Sequence, residues 1–116
     1  MIKRKEDKSK KVMFRQGDVM LVKVDKRPAT SVVGAKDNGR IILAYGEVTG
    51  HAHAIMQNEA EIYVEGTRRF LEVCFEKPAH LKHEEHATIV IPPGTYEVLQ
   101  QREYSVLTQM SRQVID

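Results

Sequence analysis

The chain reads as an all-β protein, a compact small barrel, sandwich or jelly-roll-like domain. Its apolar runs are short and rich in β-branched residues, glycine and proline punctuate them, and seven or eight such runs fit within 116 residues. Short β-branched runs bounded by tight turns favour strands over helices. Many short strands joined this way close into a sandwich, jelly roll or barrel. A length of 116 residues with 41% apolar composition suits one domain with its own core, or half of a sheet-rich homodimer.

Each element has a local reason. Met1 to Lys11 is nearly all charge, so residues 1–12 read as a basic, solvated, disordered arm before a single domain over 13–116. Gly17-Asp18 opens a strand at Val19 to Val24. Asp25 to Gly39 reads as a polar loop that ends in the turn signal Asn38-Gly39. Arg40 to Tyr45 is the next strand, with Gly46 and Gly50 marking bends or bulges beyond it. His51 to Met56, Glu61 to Val64, Arg69 to Phe75, His80 to His86 and Ala87 to Ile91 continue the series. After the turn Pro92-Pro93-Gly94, a long strand runs from Thr95 to about Tyr104. Val106, Met110 and Val114 stand four apart, the spacing of a short C-terminal helix.

Composition excludes some functions. Lys and Arg number 18 against 16 Asp and Glu, so the chain is not basic throughout. A nucleic-acid accessory role would rest on the arm alone. No stretch is long and apolar enough for a membrane, and the N-terminus lacks the apolar segment of a signal peptide. A lone cysteine, Cys74, forms no internal disulfide, and a reducing cytoplasm fits it best. Its apolar run, Phe70 to Phe75, predicts a small core residue.

The chemistry lies in the histidines. All five fall in two clusters: His51 and His53, then His80, His83 and His86. Imidazole is the commonest transition-metal ligand and titrates near neutrality. Residues two apart on a strand share a face, so His51 and His53 point together while Ala52 and Ala54 point away. If Glu84-Glu85 form a two-residue turn, His83 and His86 become opposed on one hairpin face. A helical turn would instead gather His80, His83 and His86; His80 is the weakest member.

Ligands His51, His53, His83 and His86, or three of them with a carboxylate from Glu59, Glu84 or Glu85, would suit zinc, manganese, iron or nickel. No cysteine accompanies them, which argues for an open site where bound water becomes a nucleophile. His83, His86 and Glu85 are the candidate acid–base groups, and without a metal two histidines and a glutamate still suit a phosphodiester. On the last strand Arg102 and Tyr104 share a face with Tyr96, Val98 and Gln100, and they are candidates to orient an anion. Glu47 and Thr49 share the parity of His51 and His53 if no bulge intervenes.

The blocks GEVTGHAH (46–53), HEEH (83–86), PPGTY (92–96) and QREY (101–104) resemble a family of small bacterial and phage proteins usually labelled hypothetical. That resemblance runs from about Gln16 to the C-terminus and implies that the blocks work as one unit, with no activity attached. A weaker pattern, His-x-His with Glu59 and a later Pro-Gly turn, is similar to cupins, although its His-to-Glu spacing is longer and no histidine follows the turn. The expectation is a histidine-rich metal-binding protein, a small metal-dependent hydrolase or phosphodiesterase acting on nucleotides or RNA. The rivals are a non-catalytic module holding a structural ion and a nucleic-acid accessory protein.

Overall fold

The computed structural model describes residues 12–46, 48–74 and 76–101. Its strands are β1 (Met13–Gln16), β2 (Val19–Val24), β3 (Val32–Val33), β4 (Arg40–Tyr45) and β5 (Ala52–Met56). They continue as β6 (Ala60–Glu65), β7 (Arg68–Val73), β8 (Ala79–His83), β9 (His86–Ile91) and β10 (Gly94–Gln100). Six form one sheet in the order β1-β2-β10-β7-β6-β3, and four form another in the order β4-β5-β8-β9. Every pairing is antiparallel.

Alternation builds the core. Val19 and Leu21 of β2, Leu71 and Val73 of β7, and Tyr96 and Val98 of β10 face Ile41, Leu43, Ile55, Leu81 and Ile91 of the smaller sheet. The result is an all-β sandwich with one shared interior, as expected. The turn at Asn38-Gly39 also forms, with both residues at positive φ and Asp37 bridged to Arg40. No helix among the described residues is long and apolar enough to cross a membrane.

The smaller sheet carries two irregularities. Ile42 pairs with Ala54 but Ala44 pairs with His53, so Leu43 is the extra residue on β4. Leu81 pairs with Ile89 but His83 pairs with His86, so β9 carries an extra residue there. A bulge leaves ladder groups unpaired, and interior carbonyls need donors. Each bulge is served from the other sheet. The Arg69 guanidinium on β7 donates to the carbonyls of Ile42 (3.3 Å) and Leu43 (2.6 Å). The Gln16 carboxamide on β1 donates to those of Leu81 (2.9 Å) and Ala87 (3.0 Å).

Several expectations change. The segment Met13–Gln16 is a strand that the mixed pattern Met-Phe-Arg-Gln conceals, and Val32–Val33 adds a two-residue strand inside the supposed loop. The bulge near the first histidine pair falls at Leu43, ahead of Gly46. The last strand ends at Gln100. Cys74 is exposed, because β7 stops at Val73 and the chain leaves the interior one residue before the thiol. The basic arm to Lys11 and the C-terminal helix lie outside the described residues.

Arg69→Met keeps the length of the side chain but removes both donors to the β4 bulge. Urea unfolding should show a loss of about 1–3 kcal/mol. A variant as stable as the parent would mean that the Ile42 and Leu43 carbonyls do not depend on Arg69.

Candidate functional site

At one end of the sandwich a cavity of about 650 Å³ is lined by His51, His53, His83 and His86, with Arg15 and Asp18 beside them. Two local rules bring the rings here. At the start of β5 the spacing of two puts His51, the residue before the strand, and His53 on one face, while Ala52 and Ala54 floor a separate groove on the reverse face. On the β8–β9 hairpin Glu84-Glu85 form the turn and His83 opposes His86, the hairpin reading rather than the helical one.

The rings are in contact range. Centroids lie 4.2 Å apart for His53 and His83, 4.8 Å for His83 and His86, and 5.8 Å for His53 and His86. His51 stands 6.0 Å from His83, edge to face. Glycines let the backbone close over them. A Cβ at Gly17 would sit 3.0 Å from His86 Nε2 and 3.1 Å from His53 Cε1, and its φ of +60° is costly for other residues. A Cβ at Gly46 would meet His83 Nε2 at 3.2 Å.

His53 is the anchor, at 4% exposure. Gln16, at 2% exposure, spends its amide hydrogens on two backbone carbonyls, so its Oε1 faces His53 Nδ1 at 2.9 Å as an acceptor. That network assigns the proton to His53 Nδ1 and leaves Nε2 as a bare lone pair. Asp18 Oδ1 lies 3.6 Å from that nitrogen, beyond hydrogen-bond length. Burial, then the neighbouring His83 and His86, push the proton affinity of His53 below its ordinary value, against the pull of Asp18. The ring is therefore kept neutral.

Its neighbours are held differently. Nδ1 of His51 meets Glu85 Oε2 at 2.7 Å, a carboxylate–imidazole pair. The Glu85 backbone N–H donates to His83 Nδ1 at 3.0 Å, so a neutral His83 carries its proton on Nε2. Glu84 Oε1 accepts the Ala52 N–H at 3.0 Å, and this bond is the main reason its carboxyl lies below the usual range.

His83 Nε2 lies against Gly46, and His86 Nε2 lies against Gly17 beside His53 Cε1. Among the described residues no three His, Cys, Asp or Glu side chains stand ready to hold a metal ion. The arrangement offers lone pairs and two carboxylates around a hollow, with Arg15 at its wall. Arg15 Nε donates to Gly17 O at 3.0 Å and its terminal nitrogen to Gln101.

Of the candidates from sequence, His51, His53, His83, His86 and Glu85 come together. Glu59 instead pairs with the half-exposed His80, accepting from its backbone N–H at 2.8 Å and facing Nδ1 at 3.2 Å. Thr49 is exposed. Arg102, Tyr104 and Glu47 lie outside the described residues. Gln16, Asp18 and Arg15 are additions from structure. The strand that carries Gln16 and Arg15 has no periodic apolar signal, and a glutamine that satisfies carbonyls distant in sequence leaves no trace in its own neighbourhood.

A family profile described as Domain of unknown function (DUF8820) matches residues 15–101. That span holds every described residue of the site. No curated protein and no solved structure matches.

Two measurements probe the anchor. Gln16→Met should orphan His53 Nδ1–H and two carbonyls, lowering stability by roughly 2 kcal/mol or more, and histidine ¹⁵N NMR should show His53 losing its single tautomer. An unchanged ¹⁵N pattern would refute the tautomer assignment. Because folding depresses the proton affinity of His53, its neutral form favours the folded state. In chelator-treated protein the stabilisation should be full above about 6.5 and fade as pH falls through the lower folded value, less steeply in His53→Asn.

Proposed function

We infer that this chain, which belongs to the DUF8820 family of domains of unknown function, binds a divalent transition ion and hydrolyses phosphodiesters of nucleotides or RNA. His53, His83 and His86 would be the ligands, with His51 a fourth or the carrier of a proton passed to Glu85. Arg15 would hold the substrate's anionic oxygens, a task for which its fork of donors is suited.

One observation carries the reading. Imidazole nitrogens bound at about 2.1 Å place ring centroids about 4.5–5.2 Å apart around one ion. His83 and His86 already stand at that spacing, 4.8 Å apart, while the distances from His53, 4.2 and 5.8 Å, fall just short of it and just beyond it. Packed imidazoles beside Asp18 and Glu85 concentrate lone pairs and negative charge, which favours a cation. His53 already donates its Nδ1 hydrogen to Gln16 Oε1, the kind of bond that orients a metal-bound imidazole. Closure on an ion asks His83 and His86 to turn their nitrogens inward, and His83 to release the Glu85 N–H, at about 1 kcal/mol. A bound ion would supply water acidic enough to attack near neutral pH.

A second reading has its own observation. With its proton on Nε2, His83 is an acid whose ring centroid lies 4.2 Å from that of His53, which keeps a bare lone pair, and such a pair moves protons on a phosphodiester without a metal. Elemental analysis and calorimetry of the purified chain with zinc, manganese, iron and nickel separate the two. The metal reading expects one ion per chain, lost in His53→Ala. It also expects stabilisation of about 2.7 kcal/mol at a hundredfold excess over Kd, and hydrolysis of bis(4-nitrophenyl) phosphate that chelators abolish. Hydrolysis that survives chelation selects the acid–base pair. Ion uptake without hydrolysis leaves a structural ion, and neither uptake nor hydrolysis removes both catalytic readings.

A further inference from the structure

The reverse face of β5 holds a second hollow. Ala52 and Ala54 floor a groove of about 330 Å³ rimmed by Arg40, Lys82 and Glu84, and His83 lines both this groove and the histidine cavity. Register explains the rim. Ala54 pairs with Ile42 on one side and with Lys82 on the other, and Arg40 begins β4 opposite Met56. Two long cations therefore bracket a strip of alanines. The small floor is itself a choice at two successive outward positions of a central strand, where larger β-branched residues would fill the space.

The cations are uncommitted. Neither Arg40 nor Lys82 makes a side-chain hydrogen bond or ion pair among the described residues. This contrasts with Arg27, Lys36, Arg68 and Arg69, each engaged by a carboxylate or a carbonyl. Glu84 offsets them only in part, since one of its oxygens is spent on the Ala52 N–H. On the other side of the hairpin turn, Arg15 stands at the histidine cavity. Going from Arg15 past the histidines and over the Glu84-Glu85 turn to Arg40 and Lys82, positive charge stands at both ends of the path, with the imidazoles and the carboxylates of Asp18, Glu84 and Glu85 between them.

We propose that the groove of Arg40 and Lys82 over Ala52 and Ala54 binds a chain of phosphates, so that the ligand of this protein is an extended phosphodiester or polyphosphate strand. A single phosphate would need only the cavity; repeated charge at intervals matches a polymer with one negative charge per unit. Cleavage of such a strand rests on the hydrolytic reading above, whereas its binding in the groove does not.

The test uses the full chain and a short fluorescein-labelled single-stranded RNA, followed by anisotropy across a salt series. In the double variant Arg40→Gln/Lys82→Gln, affinity at low salt should fall about tenfold and the slope of log affinity against log salt by about 1.4, near 0.7 per lost cation. Lys77→Gln, an exposed lysine that lines neither hollow, should bind as the parent does. Inorganic polyphosphate that displaces the RNA supports recognition of the phosphate chain. RNA binding through the groove that polyphosphate fails to displace assigns the site to nucleic acid. Unchanged affinity and slope in the double variant would overturn the proposal, as would equal displacement by polyglutamate. If the parent chain takes up no ion and cleaves nothing while the double variant still loses RNA, the hydrolytic reading fails and the groove stands.

Discussion

A bulged strand must find donors for the carbonyls that its ladder abandons, and this constraint organises the molecule. Both bulges of the smaller sheet are met by long polar side chains from the larger one, Arg69 at β4 and Gln16 at β8–β9. Apolar contact between two sheets is non-directional, so it sets their separation more firmly than their register. Hydrogen bonds that reach from one sheet to named carbonyls of the other add the missing direction. The same carboxamide that closes one bulge also orients the buried imidazole, so the architecture and the chemistry share a residue.

That sharing explains why histidines gather where they do. The bulge on β9 makes Glu84-Glu85 a two-residue turn and sets His83 against His86. The bulge on β4 falls beside His53, at the Ala44 pairing. Both irregularities thus lie next to the histidine cavity, in keeping with the frequent placement of bulges beside functional sites. Two glycines then let loops approach within contact distance of the rings.

Much of this was legible from the chain alone. Alternation in Val19 to Val24 and Arg40 to Tyr45, and the Asn38-Gly39 turn, are local signals, and local signals survive into the fold. The pairing of His51 with His53 and of His83 with His86 followed from two short-range rules, the strand period and the hairpin opposition, whereas the meeting of the two pairs depends on β5 lying beside β8. What escaped has more than one cause. Gln16 acts through partners dozens of residues away, Met13–Gln16 is a strand because Val19–Val22 pairs with it, and Cys74 is exposed because a strand ends one residue early. Only the partners of Gln16 are distant; the other two are local features that the apolar pattern alone does not reveal. Glu59 shows the converse: a carboxylate plausible by type was claimed by His80.

The first described strand, only four residues long, lies at a sheet margin and pairs with a single neighbour, β2. Such margins open more readily than central strands, on their own and well below the cost of global unfolding. Since that short ribbon carries both the glutamine beneath His53 and the arginine at the hollow's wall, each brief detachment would unlock the ring and withdraw the guanidinium together. Readiness of the pocket is thereby tied to fraying at one border of the protein, and amide exchange at Phe14 and Arg15 becomes a gauge of it.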